Sequence, residues 1–133
     1  MHFHWLAILA AAAAGFVIGG LWYGPLFGKA WMRARGISHE EAANGNMLMI
    51  FGGTFVLNLI AAFMLDHLYQ TYDAPVGLHY SLVIASIIGV GFVTTSIGVN
   101  YLFSRQPRAL FLIDAGYWIV FYLAMGAIFG LLT

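Results

Sequence analysis

Asp114 is the residue in this chain with the most chemistry to offer. It falls inside a run of about 109–132 that holds no other Lys, Arg, Asp or Glu. A charged group left in hydrocarbon costs about 2.5–3.5 kcal/mol even on lenient insertion scales, so such groups are kept where they pair or work. Asp114 lies about five residues, roughly 7 Å along a helix axis, inside the nearer end of its run. At matching depth the preceding apolar run carries Asn100 and Ser96, one helical turn apart, and the first run carries Tyr23. We expect Asp114, Asn100, Ser96 and Tyr23 to form one buried polar cluster. Its chemistry would be to hold a proton or cation at the mouth of a pathway. Its structural use would be to fasten two helices, with Asp114 paired to Arg105 or Arg108 or hydrogen-bonded to Asn100.

A second group gathers at the opposite end of the apolar runs: His2, His4, Asp66, His67, Asp73 and His79. Imidazole and carboxylate are ordinary ligands for zinc or copper, and His2-x-His4 sets two imidazoles close together. Imidazoles also titrate near pH 6.5. A metal-binding or pH-sensing site at His2, His4, Asp66, His67 and His79 is therefore an expectation, although the spacing matches no recognised metal motif. Thr94 and Thr95 sit near the middle of the third run, where hydroxyls commonly bond their own helix's carbonyls. Asn58, in the second run, is costlier to leave unpaired and is expected to mark a helix contact. Enzymatic signatures are lacking: there is no H-E-x-x-H, no G-x-S-x-G, no phosphate loop and no cysteine. No catalytic residue, enzyme activity or cofactor is expected.

The elements that must position these groups follow from composition. Hydrophobic residues are 62% of the 133 and charged residues 8%, against about a quarter charged in soluble domains. Ten charged side chains cannot clothe a soluble globule of this size, so the apolar surface must face lipid. Net charge is zero, which leaves no basic field for nucleic acid. Crossing a hydrocarbon core of about 30 Å takes about 20 apolar residues as a helix. Four stretches qualify, at about 5–27, 47–69, 78–103 and 109–132. Backbone amides in lipid must pair within their own segment, and these runs lack the alternation of a barrel. The expected fold is all-α: one membrane domain, four transmembrane helices in a compact bundle. The first run is read as a span rather than a cleaved signal peptide, since no Lys or Arg precedes it and its apolar stretch continues well past Ala10–Ala14.

Orientation follows from the cations. Lys29, Arg33 and Arg35 lie in the first connection, Arg105 and Arg108 in the third, and no Lys or Arg lies elsewhere. The positive-inside rule places that side in the cytoplasm and both termini outside. The connection 28–46 opens with a basic, Trp31-containing stretch suited to a helix at headgroup level. Gly36 should end it, Ser38-His39-Glu40-Glu41 should open another turn with a capping box, and Asn46 should cap the second span. Pro107 suits the first turn of the fourth span. Small residues recur at helical spacing, with Gly15 and Gly19 on the first span, Gly89 on the third, and Gly126 and Gly130 on the fourth. Without a hydrophobic force between helices in lipid, close approach at such residues must hold the bundle together. With only four thin spans, self-association or a place beside a larger membrane complex is the natural expectation.

There is also a weak parallel repeat. Ile18-Gly19, Trp22-Tyr23 and Leu26-Phe27-Gly28-Lys29 are answered, with a small gap, by Ile97-Gly98, Asn100-Tyr101 and Leu102-Phe103-Ser104-Arg105. Two hairpins running the same way would be related by an axis along the membrane normal. Membrane helices often end in aromatic residues followed by a cation, which gives the same pattern without a repeat.

His4-Trp5-Leu6-Ala7-Ile8-Leu9, the run Leu21-Trp22-Tyr23-Gly24-Pro25-Leu26-Phe27-Gly28-Lys29-Ala30-Trp31, Asn100-Tyr101-Leu102-Phe103 and Ile113-Asp114-Ala115-Gly116-Tyr117 together resemble the domain of unknown function 1761 family of bacterial membrane proteins. The resemblance covers essentially the whole chain. It implies a four-span protein of the bacterial inner membrane and no established activity, so it brings no catalytic residues. It also implies Asn in many members where this chain has Asp114, so a fixed charge there is not a general requirement. Two functions of different class remain: an oligomeric channel or small transporter for protons, cations or a small solute, and a non-catalytic accessory subunit packed beside a larger complex.

Overall fold

The structure, a computed structural model, describes residues 4–72 and 75–133. His2 and Asp73 lie outside the described residues. Each apolar run folds into a helix long enough to cross a membrane: Trp5–Leu26, Met47–Gln70, Gly77–Phe103 and Arg108–Leu132, of 22, 24, 27 and 25 residues. The helical elements in chain order are α1 (Trp5–Leu21) with a π-helical end Trp22–Leu26, α2 (Gly28–Arg35), α3 (His39–Ala43) and α4 (Met47–Gln70). The third span follows as α5 (Gly77–Ser86), a π-helical stretch Ile87–Thr94 and α6 (Thr95–Phe103), and the fourth span is α7 (Arg108–Leu132).

Local chemistry explains the boundaries. Pro25 has no amide proton and its ring clashes with the carbonyl four residues back. The first span passes it by widening: the Phe27 amide donates to the Trp22 carbonyl, five residues back, at 2.7 Å. Helix α2 ends at Gly36, whose φ of +73° is left-handed and suits glycine. The Ser38 side chain accepts from the Glu41 amide while the Glu41 carboxylate accepts from the Ser38 amide, the expected capping box. Asn46 caps the second span by accepting from the Met49 amide at 3.1 Å.

The first and fourth spans form the middle of the molecule. The second packs against the first, and the third runs along the fourth. Their shared core, Ile8, Ala11, Ala12, Ala62, Phe121, Met125 and Phe129, is sealed, with no exposure above 2%. The predicted glycines lie at these contacts. A Cβ on Gly15 would collide with the Phe121 ring, and one on Gly19 would lie 3.2 Å from the Tyr117 hydroxyl. A Cβ on Gly126 would lie 2.7 Å from Ala85 Cβ, and one on Gly130 would collide with the Ser81 hydroxyl. Gly89 meets the Ile119 backbone at ordinary contact distance. All three glycine stripes are thus used inside one chain, and none is left over to argue for a second copy. Large apolar side chains such as Leu48, Leu102 and Phe103 point outward on every peripheral face, as lipid-facing residues must.

Candidate functional site

The fourth span presents Asp114 to two tyrosines at once. Tyr23 donates its hydroxyl to Asp114 Oδ1 at 2.5 Å, and Tyr101 donates to Oδ2. Phenol-to-carboxylate bonds of this length are charge-assisted and among the stronger neutral-donor contacts available. The π-helical turn at Trp22–Leu26 is what aims the first span's end. Trp22 Nε1 donates to the Ile113 carbonyl at 3.0 Å, one residue before Asp114, and its ring covers Gly116, where a Cβ would lie 2.9 Å away. Tyr117 Oη reaches back to the Gly15 carbonyl at 3.2 Å. Three aromatic side chains therefore lock the first and fourth spans in register around one carboxylate.

Asp114 is 8% exposed, yet neither Arg105 nor Arg108 pairs with it. Among the described residues the one ion pair is His4 with Asp66, and both arginines are exposed. Beside the carboxylate lies a cavity of about 560 Å³ at the end of the molecule that carries the basic connections. Its walls are Tyr23, Trp31, Tyr101 and Trp118, with His39 and Met32 from the connecting helices. Trp31 stands edge-on to Tyr23 at 5.9 Å and carries the Arg35 guanidinium over its own ring, 5.6 Å from the centroid. A carboxylate offers about four lone-pair positions, and the two phenols occupy one on each oxygen.

The expected cluster is redrawn by this geometry. Tyr23 and Asp114 meet. Asn100 and Ser96 do not join them: both are exposed, and the Ser96 hydroxyl donates to its own helix at the Phe92 carbonyl. Thr94 and Thr95 likewise donate to the Gly89 and Gly91 carbonyls. The residue that takes the place of Asn100 is its neighbour Tyr101, one position further round the helix. The repeat was the signal that could have found it. Tyr23 and Tyr101 hold corresponding places in the two repeated segments, and one carboxylate receives both.

At the other end, His4 and Asp66 meet, while His67 and His79 lie apart from them. Asp66, 1% exposed, accepts from His4 Nδ1 at 2.7 Å and from Gln70 Nε2 at 2.8 Å. These bonds tie the first span to the second. His67 faces a different side, near Ile88 and Tyr122, and His79 is exposed against the Tyr80 ring. His2 lies outside the described residues. Among the described residues, no three His, Cys, Asp or Glu side chains are placed to hold a metal ion. Asn58 is buried on the second span, 3% exposed, with its amide nitrogen unpartnered.

The architecture and site define a helical protein with four helices long and apolar enough to span a membrane. The chain belongs to the family described as protein of unknown function (DUF1761), which matches residues 6–130. No curated protein and no solved structure matches it.

Proposed function

We propose that this is a small transporter of the bacterial inner membrane that takes up a cation at a cytoplasmic-side site built on Asp114. The carrying observation is a buried carboxylate with no cationic partner among the described residues, facing an aromatic-walled cavity of about 560 Å³. Buried charges are normally paired. Tyr and Trp faces attract cations by about 0.5–2 kcal/mol each when desolvated, and the cavity volume falls in the range that suits small organic ligands. An organic ammonium ion would set its charge against the free side of Asp114 and its alkyl groups against Trp31 and Trp118. The five cations at the same end support a cytoplasmic-side site by the positive-inside rule, with both termini outside.

A carrier is favoured over an open channel. The core beyond the site is filled by Phe121, Met125, Ala11 and Ala62, and the serine and threonine hydroxyls of the third span are spent on their own backbone. Passage would need the helices to rearrange. The test is calorimetric titration of tetraethylammonium into the purified protein, followed by uptake into proteoliposomes. Saturable binding that the Asp114→Asn variant loses is expected; equal binding by that variant sinks the proposal. The alternative is a non-catalytic accessory subunit, favoured by one observation: the polar cluster is contained within a single bundle, as a fastening would be. Under that alternative the purified protein binds no cation and co-purifies with a larger membrane complex from mild detergent.

A further inference from the structure

A second cavity carries an unused hydrogen-bond donor. Between the first, second and fourth spans lies a cleft of about 610 Å³ walled by aromatic rings, chiefly Phe16, Phe51, Tyr117 and Trp118. Asn58 lines it, 3% exposed, and the Nδ2 amide of Asn58 meets no acceptor. Such an orphan donor costs about 1–3 kcal/mol. Three hydroxyl protons in the cleft are already donated, those of Thr54 to the Ile50 carbonyl at 2.6 Å, Tyr117 to the Gly15 carbonyl at 3.2 Å and Tyr23 to Asp114. On the first span the rim is bare backbone: Gly20 and Gly24 are exposed, and a Cβ on either would meet nothing within 4 Å.

We propose that this cleft binds a flat, lipid-soluble carbonyl compound of the quinone class, drawn from the bilayer, with one carbonyl oxygen accepting from Asn58. Depth selects the class. Asn58 lies about 17 Å along the second span from its start, near the middle of a hydrocarbon layer about 30 Å thick. The ester carbonyls of phospholipids sit at the edge of that layer and do not reach it. The ligand must therefore carry its acceptor into the membrane interior on an otherwise apolar body. Aromatic walls suit a planar ring, stacked or edge-on, with centroids at about 4.5–7 Å. An alkyl substituent would leave through the gap beside Gly20 and Gly24. The cleft shares the rings of Tyr23 and Trp118 with the cavity beside Asp114, but nothing in this assignment requires cation binding.

The test uses the protein in nanodiscs and a decyl-substituted benzoquinone as probe, with quenching of tryptophan fluorescence as readout and decylbenzene as the acceptor-free control. Saturable quenching by the quinone is expected, with decylbenzene failing to compete. Asn58→Leu should weaken binding tenfold or more while its melting temperature holds or rises, because an idle amide is replaced by an apolar group of similar size. Gly20→Leu, which fills the cleft without touching Asn58, should remove binding in a folded protein. Absence of saturable quenching, equal competition by decylbenzene, or wild-type affinity in Asn58→Leu would each overturn the assignment. So would loss of stability in Asn58→Leu, since it would show that the amide already has a partner within the protein.

Discussion

Two phenols and one carboxylate make the centre of the molecule's chemistry, and each phenol can be removed singly. Tyr23→Phe and Tyr101→Phe delete one donor without changing shape. Each should lower the melting temperature in detergent by the equivalent of about 1–2 kcal/mol, in the range of interhelical hydrogen bonds in membranes. Tyr23→Phe should cost more, because that hydroxyl is the more deeply buried of the two. At the far end, Asp66→Leu would leave the His4 and Gln70 donors without their acceptor. Since His4 is exposed and Gln70 half-buried, water can take up both donors, and a loss of about 0.5–1.5 kcal/mol is expected, the net worth of a hydrogen bond, read as thermal unfolding by circular dichroism. The sequence pointed to Asp114 and Tyr23 because a lone charge and a deep tyrosine stand out in an apolar run. It pointed to Asn100 rather than Tyr101 because an amide looks like a pairing group and a helix-end tyrosine looks like an interfacial anchor.

Elements that depend on local rules were legible. The capping box at Ser38, the glycine stop at Gly36 and the Asn46 cap all form where their residues stand, since each needs only a few neighbouring residues. Facing was less legible, and the π-helical stretch Ile87–Thr94 gives the reason. Wide turns rotate the chain by fewer degrees per residue than the 100° of an α-helix. A face counted along the third span from Gly77 is out of phase by the time it reaches Asn100. The glycine stripes were legible for the opposite reason, because the first and fourth spans stay regular where they touch. Gly15→Leu and Gly130→Leu force side chains into Phe121 and Ser81 respectively. Each should destabilise by about 1–3 kcal/mol or more by overpacking, whereas Gly52→Leu, whose Cβ would meet nothing within 4 Å, should change the melting temperature little. The comparison of the three melting curves checks it.

At the scale of the whole molecule the four spans were set by hydropathy, which a single sequence displays. What it did not display was which spans become neighbours, because the pairing of first with fourth depends on ring-against-glycine contacts about a hundred residues apart. The absence of native cysteine makes the topology directly measurable. In intact cells a membrane-impermeant maleimide should label a cysteine introduced at Thr133 and should reach one introduced at Gly45 only after the membrane is permeabilised. Tyr23 and Trp118 line both cavities, so one pair of rings is the partition between them. Whatever presses on those rings from the lipid side alters the surroundings of the carboxylate on the other. Binding at the two chambers would then be thermodynamically linked, and by reciprocity each occupant must change the other's affinity by the same factor.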